Sequence, residues 1–97
     1  MLTKQDKNRL KQAANHLKPI VIIGKDGMSS NLVQTIQQVL KKHELIKISV
    51  LKTYEGVQKE ELAELLASVT SSEVILTIGR VIVLYKKNKE INAYGTN

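Results

Sequence analysis

Two glycines three positions apart are the residues of this chain whose spacing most suggests chemistry. They enclose a lysine and an aspartate in a Gly-x-x-Gly segment made of Gly24, Lys25, Asp26 and Gly27. Glycines at this spacing let the chain turn sharply and bring main-chain N–H groups against a ligand without an intervening side chain. A helix predicted to begin at Ser29 or Ser30 would point its free amides and its positive dipole end at the same ligand. The segment therefore predicts an anion site, and phosphate is the anion that suits it best.

An ordinary turn is the competing interpretation of this segment. The apolar run 20–23 precedes it and a helix follows it, and such a connection commonly contains Gly and Asp. A lone glycine pair is also far less specific than a full motif. A Walker A loop is excluded because it requires Gly-x-x-x-x-Gly-Lys-Ser/Thr, whereas the lysine here directly follows the first glycine.

The positive charge of the chain lies mainly in its first two thirds. The formal net charge is +6, and residues 1–27, 28–59 and 60–97 contribute +4, +3 and −1. A basic protein attracts polyanions such as nucleic acid or anionic lipid, although a solvated surface with many lysines gives the same composition. Three tyrosines and no Phe or Trp are present, which makes base stacking on a surface of exposed rings a poor fit. Any contact with nucleic acid is therefore expected to involve mainly the sugar-phosphate backbone.

The first helix is predicted from an N-cap signature, Thr3 followed three residues later by Asp6. Apolar residues then recur at helical spacing until Pro19. Three lysines fall in one narrow sector beside this apolar stripe and form a basic ridge; they are Lys4, Lys7 and Lys11. Such a ridge is usually a solvated face, so whether it takes part in binding depends on the surfaces that lie beside it.

A strand, a helix and a second strand are predicted next. Residues 20–23 have no alternation, which favours a strand covered on both faces. The second helix is expected over 31–43, with basic residues at its end, where the helix dipole favours them. Residues 45–52 alternate polar and apolar, which predicts a strand with one wetter face that carries Lys47.

A third helix and a hairpin complete the predicted elements. The helix is marked by apolar residues at helical spacing, which are Leu62, Leu65, Leu66 and Val69. The runs 74–78 and 81–85 flank Gly79-Arg80, the pattern of a type II′ hairpin. The order α-β-α-β-α-β-β implies an α/β fold with a mixed four-stranded sheet and helices packed on it. We expect one domain over 1–97, with an ordered core over about 3–87 and a frayed tail over 90–97.

Catalytic chemistry has little support in the sequence. There is no cysteine, and the two histidines, His16 and His43, belong to no HExxH pattern and have no Ser-His partner motif. No metal site, cofactor or small-molecule substrate is therefore expected, and the protein is not expected to be an enzyme. The N-terminus has no apolar signal-like region and no run is long enough to cross a membrane, which predicts a soluble, cytoplasmic protein without a membrane partner.

Three separated motifs resemble one known family. They are Gly24 to Ser29 with the preceding Ile23, then 43–48 (His-Glu-Leu-Ile-Lys-Ile), then 79–86 (Gly-Arg-Val-Ile-Val-Leu-Tyr-Lys). In this order they resemble the CRM domain (chloroplast RNA splicing and ribosome maturation), and most of all its free-standing bacterial YhbY-like members, from about Thr3 to Lys87. The resemblance implies an RNA-binding α/β domain similar to the C-terminal domain of translation initiation factor three. It also implies association with precursors of the large ribosomal subunit.

The resemblance also implies which residues contact RNA. The family's Gly-x-x-Gly loop falls on Gly24 to Gly27, with Ser29 and Ser30 at the helix start behind it. Its basic surface is matched by Lys25, Lys47, Lys86 and the three lysines of the first helix. Asp26 places a negative charge in a loop expected to meet phosphate, unless its carboxylate caps the turn or the helix start and faces away from RNA.

The favoured interpretation is a non-catalytic RNA-binding protein that contacts the backbone of ribosomal RNA or pre-ribosomal particles during large-subunit assembly. The principal alternative is a protein-interaction module that docks on a ribosomal protein or assembly factor and uses its charge only for steering. A third, a small phosphotransfer or hydrolytic enzyme with the loop as its anion cradle, lacks a visible base or metal ligand.

Overall fold

Three helices and four strands follow one another in the predicted order. The structure is a computed structural model, and it describes residues 2–95. The elements are α1 (Lys4–Ala14), β1 (Val21–Ile23), α2 (Ser30–His43), β2 (Leu45–Val50), α3 (Lys59–Thr70), β3 (Glu73–Ile78) and β4 (Val81–Tyr85). No helix among the described residues is both long and apolar enough to cross a bilayer.

The four strands form one mixed sheet, as predicted, and the structure gives their order as β1-β2-β4-β3. β1 pairs with β2 in parallel, and β4 pairs antiparallel with both β2 and β3. The two-residue connection between β3 and β4 has Gly79 at φ +55, the positive angle that the first position of a type II′ turn requires. The carboxyl ends of β1, β2 and β3 thus meet the start of β4 at one end of the sheet, here called the loop end. The opposite end is called the far end.

Helices cover the two faces of the sheet unequally. On one face, α2 and α3 bury the larger core, whose strand residues include Ile23, Ile48, Ile82 and Leu84. On the other face, Leu10 and Ala14 of α1 pack on Leu45, Val83 and Tyr85, near the far end. The loop end of that second face therefore lies outside the cover that α1 provides.

The prediction that residues 20–23 are covered on both faces is wrong. Val21 and Ile23 are buried, but Ile22 between them is 61% exposed. β1 is the edge strand of the sheet, and α1 packs at the far end instead of over β1. In the third helix, Leu62 and Leu66 are buried as core residues, whereas Leu65 and Val69 are exposed.

The start of α1 carries the predicted capping box. The Thr3 hydroxyl accepts a hydrogen bond from the Asp6 amide at 3.0 Å, and the Asp6 carboxylate accepts one from the Thr3 amide at 3.1 Å. The Arg9 guanidinium also donates to this carboxylate at 2.8 Å. The bond from the Thr3 amide, followed by the bond from Arg9, lowers the pKa of the Asp6 carboxyl below its ordinary value of 3.8.

Asp6 should therefore make stability depend on pH in the acid range. Because its pKa is lower in the folded state, its contribution is present above the unfolded-state value of 3.8 and is lost as pH falls through the folded-state pKa. We expect the unfolding free energies of wild type and Asp6→Asn to differ at about pH 5 and to differ less at about pH 2. Urea denaturation at both pH values measures this, and a pH-independent difference would contradict it.

The segment after β4 is held by a buried carboxylate. Glu44, at the C-cap of α2, is fully buried and adopts φ +60. Its two carboxylate oxygens accept hydrogen bonds from the amides of Asn88 at 2.8 Å and Ala93 at 2.7 Å. The ring of Tyr94 packs edge-on against Tyr85, with centroids 6.2 Å apart. These contacts join the tail to the domain as far as Tyr94. The predicted fraying of 90–97 concerns motion and stays a prediction, and residues 96 and 97 lie outside the described part.

Candidate nucleic-acid interface

The Gly-x-x-Gly segment forms a tight turn at the loop end. The Gly27 amide donates to the Gly24 carbonyl at 3.0 Å, and Gly27 has φ +62, which favours glycine. Gly24 does not have a positive φ, and a Cβ there would lie in ordinary contact, 3.7 Å from the Leu51 Cδ1. The backbone conformation therefore requires glycine at position 27 but not at position 24. At position 24, the absence of a side chain leaves the main chain open to close approach by a ligand.

The helix behind the turn presents unpaired amides. The Ser29 hydroxyl accepts a hydrogen bond from the Leu32 amide at 3.1 Å, so Ser29 is the N-cap. Within residues 2–95, the amides of Ser30 and Asn31 donate to no protein group, as expected for the first turn of a helix. This turn contains no acidic residue that would occupy them. The N-terminus of α2 thus keeps the two donors and the positive dipole end that an anion needs.

Asp26 caps neither the turn nor the helix. The turn is closed by main-chain atoms and the helix by Ser29. The Asp26 side chain is exposed and makes no hydrogen bond or ion pair in the part of the chain that the structure describes. Its carboxylate is therefore free to rotate in solvent.

The Tyr54 ring packs against the glycine turn, and the sequence interpretation missed this contact. A Cβ on Gly27 would lie 3.3 Å from the Tyr54 Cε1, and a Cβ on Gly56 would lie 2.5 Å from the Tyr54 hydroxyl. That hydroxyl donates to the Val57 carbonyl at 2.9 Å. Two glycines far apart in sequence therefore enclose one ring, and spacing along the chain gives no sign of this.

Two further exposed basic side chains lie at the loop end with Lys25, besides the half-buried Lys59, whose amine donates to the Gly79 carbonyl at 2.6 Å. Lys52 directly follows Leu51 after the end of β2. The pairing of β2 with β1 extends to Leu51, because the Leu51 amide donates to the Ile23 carbonyl at 2.8 Å. Arg80 lies in the hairpin turn, and its carbonyl accepts the Val50 amide at 2.7 Å. Beside them is a groove of about 480 Å³, lined by Tyr54, Lys59 and Arg80 among others. Lys52 and Arg80 were missed because only the sheet order brings their loops beside the turn.

The other predicted lysines lie elsewhere on the molecule. Lys4, Lys7 and Lys11 are exposed on α1, which packs on the opposite face of the sheet from α2. Lys47 is half-buried in the middle of β2. Lys86 follows β4 at the far end, where its amine donates to the Thr70 carbonyl at 3.2 Å. The structure thus brings Lys25 together with the glycines and serines of the turn but does not bring these five lysines to it.

A second group of lysines surrounds the far end. Its members are exposed and come from the end of α2 and the segment after β4; they are Lys41, Lys42, Lys86, Lys87 and Lys89. The Asn88 side chain links the two segments by donating to the Lys41 carbonyl at 2.8 Å. The basic surface is therefore divided between the two ends of the sheet.

The histidine and carboxylate side chains of residues 2–95 do not assemble into a metal site. His16 and His43 are both exposed, as predicted for helix-surface or helix-end residues. Among residues 2–95, no three His, Cys, Asp or Glu side chains are grouped so that they could hold a metal ion. What the loop end offers is main-chain donors and fixed positive charge.

Comparison with known proteins identifies the family. Residues 2–86 match the CRS1 / YhbY (CRM) domain. The chain is 43% identical over 90 residues to a Bacillus subtilis protein named "Probable RNA-binding protein YqeI", and the match covers 93% of both chains. It is 32% identical over 89 residues to a Haemophilus influenzae protein named "RNA-binding protein", covering 92% of this chain and 89% of that one.

A solved structure agrees with these matches. The solution structure of a Staphylococcus aureus protein superposes with a TM-score of 0.78 at 40% identity, and 92% of each chain is covered. The resemblance drawn from three short motifs is therefore confirmed, and so is the α/β fold with its mixed four-stranded sheet. The chain belongs to the CRS1 / YhbY (CRM) domain family.

Proposed function

We propose that this protein binds RNA without catalysing a reaction and contacts the sugar-phosphate backbone at the loop end. The observation that carries the proposal is the meeting of unpaired helix amides, a bare glycine main chain and three cationic side chains at one place. The names of the relatives, which describe RNA-binding proteins, support RNA as the polyanion.

Each part of the loop end has a distinct role in this proposal. A phosphate accepts hydrogen bonds from the Ser30 and Asn31 amides, at the positive end of the α2 dipole. Gly24 lets the backbone of the ligand approach closely, and Lys25 pairs with the charge. Lys52 and Arg80 contact neighbouring phosphates. This arrangement resembles the way a GxxG loop clamps a few nucleotides.

The partner that the family implies is ribosomal RNA, in pre-ribosomal particles of the large subunit, in the cytoplasm. Lysines away from the loop end extend the contact along a longer RNA; these are Lys4, Lys7, Lys11, Lys47 and Lys86. In a ribosomal particle, RNA on more than one side of the protein could meet these separated groups. Crosslinking in cells followed by RNA sequencing identifies the contacted RNA, and crosslinks outside ribosomal RNA would refute this part of the proposal.

Single lysine and arginine substitutions test the backbone contact. We expect Lys25→Ala and Arg80→Ala each to weaken binding to ribosomal RNA by about fivefold at about 0.1 M salt, because one phosphate contact contributes roughly 0.7 to the salt exponent. The slope of log K against log salt should fall by the same roughly 0.7 in each variant. Fluorescence anisotropy over a salt series measures both quantities.

Ser68→Glu is the matched control for net charge. It lowers the charge by the same single unit, but on the exposed side of α3 that already carries Glu61 and Glu64. Equal losses in all three variants would show that charge acts only by long-range steering. Binding to ribosomal particles that survives nuclease treatment would instead favour docking on a protein.

A further inference from the structure

A row of four side chains crosses the sheet at the loop end, on the face that carries α1. The strand register pairs Ile22 with Ser49, Ser49 with Val81, and Val81 with Ile78. Directly paired residues point to the same face of a sheet. The two isoleucines that end the row are 61% and 62% exposed, and the two central residues are half-buried. Three of the four are aliphatic, with the Ser49 hydroxyl between Ile22 and Val81, and we call the four residues the aliphatic row.

Of this row, Val81 packs against the cluster that α1 covers, whereas Ile22 and Ile78 belong to neither of the two core clusters. α1 and Tyr94 pack on Leu45, Val83 and Tyr85, farther toward the far end. Two more exposed apolar residues extend the row: Ile20, two positions before Ile22, and Leu51, which lies beside Gly24. Scattered exposed aliphatic residues are normal, but a contiguous apolar surface with a polar rim marks an interaction site.

The rim of the row is mainly basic. Lys25 lies two residues beyond the end of β1, and Arg80 lies in the turn between Ile78 and Val81. Lys47 is on β2 two positions before Ser49 and therefore shares its face. Lys52 is also at this end, and the exposed acidic side chains of the neighbouring loops are Asp26 and Glu55. A mainly aliphatic centre with a cationic rim fits a ligand that has flat, less polar groups in its middle and anionic groups around them.

We infer that unstacked bases of a single RNA strand lie on the aliphatic row while their phosphates contact Lys25 and Arg80. The inference rests on the proposed function and adds the bases to it. A duplex does not fit, because its base faces are already stacked on one another, whereas single-stranded loops can splay their bases onto a protein surface. The three aliphatic side chains offer no hydrogen bonds to base edges, and the Ser49 hydroxyl both donates and accepts, so this contact discriminates little between bases.

The test removes aliphatic surface without changing charge. Ile22→Thr/Ile78→Thr keeps β-branched side chains in exposed strand positions, so the fold is expected to persist. Affinity is measured for a single-stranded RNA of about twelve nucleotides and for an abasic oligonucleotide of the same length, over a salt series. Leu65→Gln/Val69→Thr is the control, because it removes two exposed aliphatic side chains, 42% and 43% exposed, from α3.

The double variant should weaken RNA binding by about fivefold to tenfold at every salt concentration, since the lost contact is apolar. Its salt slope should equal that of wild type, because no phosphate contact is lost. The abasic oligonucleotide should bind wild type and variant equally, and the control should match wild type on both ligands. Circular dichroism and thermal unfolding verify that each variant is folded.

Three results would overturn the inference. They are equal losses on RNA and abasic ligand, unchanged RNA affinity, and a variant that instead loses a protein partner or its own self-association. If wild type binds RNA and the variant is indistinguishable from the control, only the role of the aliphatic row fails. If wild type binds no RNA at all, the proposed function fails with it.

Discussion

Replacing Glu44 by alanine is expected to lower the free energy of unfolding by about 3 kcal/mol. Hydrogen bonds to a charged acceptor contribute about 1.5–3 kcal/mol each, and Glu44 accepts two while fully buried, although removing a buried charge offsets part of the loss. For a domain of this size, that loss lowers Tm by roughly 10–25 °C. Urea denaturation and calorimetry measure the two quantities.

Glu44→Gln is the matched variant for size. It keeps one carbonyl acceptor but sets an amide NH2 against the second main-chain N–H, so its stability should lie between those of wild type and Glu44→Ala. Hydrogen exchange provides a local readout, because the amides of Asn88 and Ala93 should lose protection first. Unchanged protection of both amides in Glu44→Ala would contradict this role for the carboxylate.

The second large effect is expected from Gly27→Asp combined with Lys25→Ala. The pair removes one positive charge from the turn and adds one negative charge, which should weaken RNA binding by about 25-fold or more at about 0.1 M salt and lower the salt slope by roughly 1.4. The new side chain also strains a residue at φ +62 and meets Tyr54 at 3.3 Å. Fluorescence anisotropy over a salt series again measures affinity and slope.

Gly95→Asp controls for the glycine substitution. Gly95 has the same φ of +62, but a Cβ there meets nothing within 4 Å, and it lies in the tail. It introduces the same charge and the same backbone strain away from the turn, so RNA affinity should change far less. If the double variant bound ribosomal RNA with wild-type affinity and slope, the turn would not be a phosphate site.

Much of the fold was predictable because its signals are local. The Thr3 and Asp6 capping box, the glycine of the β3–β4 turn and the helical spacing of apolar residues all act within a few residues of one another. The burial of β1 was predicted wrongly because an apolar run does not reveal whether its strand is central or at the edge. The exposure of Ile22, and with it the aliphatic row, follows from that edge position.

The candidate site was predictable only in part for the same reason. The turn and Lys25 lie together in sequence, whereas Lys52, Tyr54 and Arg80 come from two other loops. Glu44 carried no sign of its role, since its hydrogen-bond partners are 44 and 49 residues away. Contacts of this kind depend on the order of the strands, which the apolar pattern does not specify.

The position of β4 has a consequence for how the chain is made. The last strand in sequence lies in the interior of the sheet, between β2 and β3. A ribosome synthesises the chain from the N-terminus, so β4 emerges after every other strand. Until Tyr85 has emerged, β2 and β3 lack the strand that joins them, and β2 exposes an unpaired edge. A stop codon in place of Val81 would remove β4 and split the sheet, whereas loss of the same 17 residues' length from the N-terminus would remove α1 and leave all four strands paired.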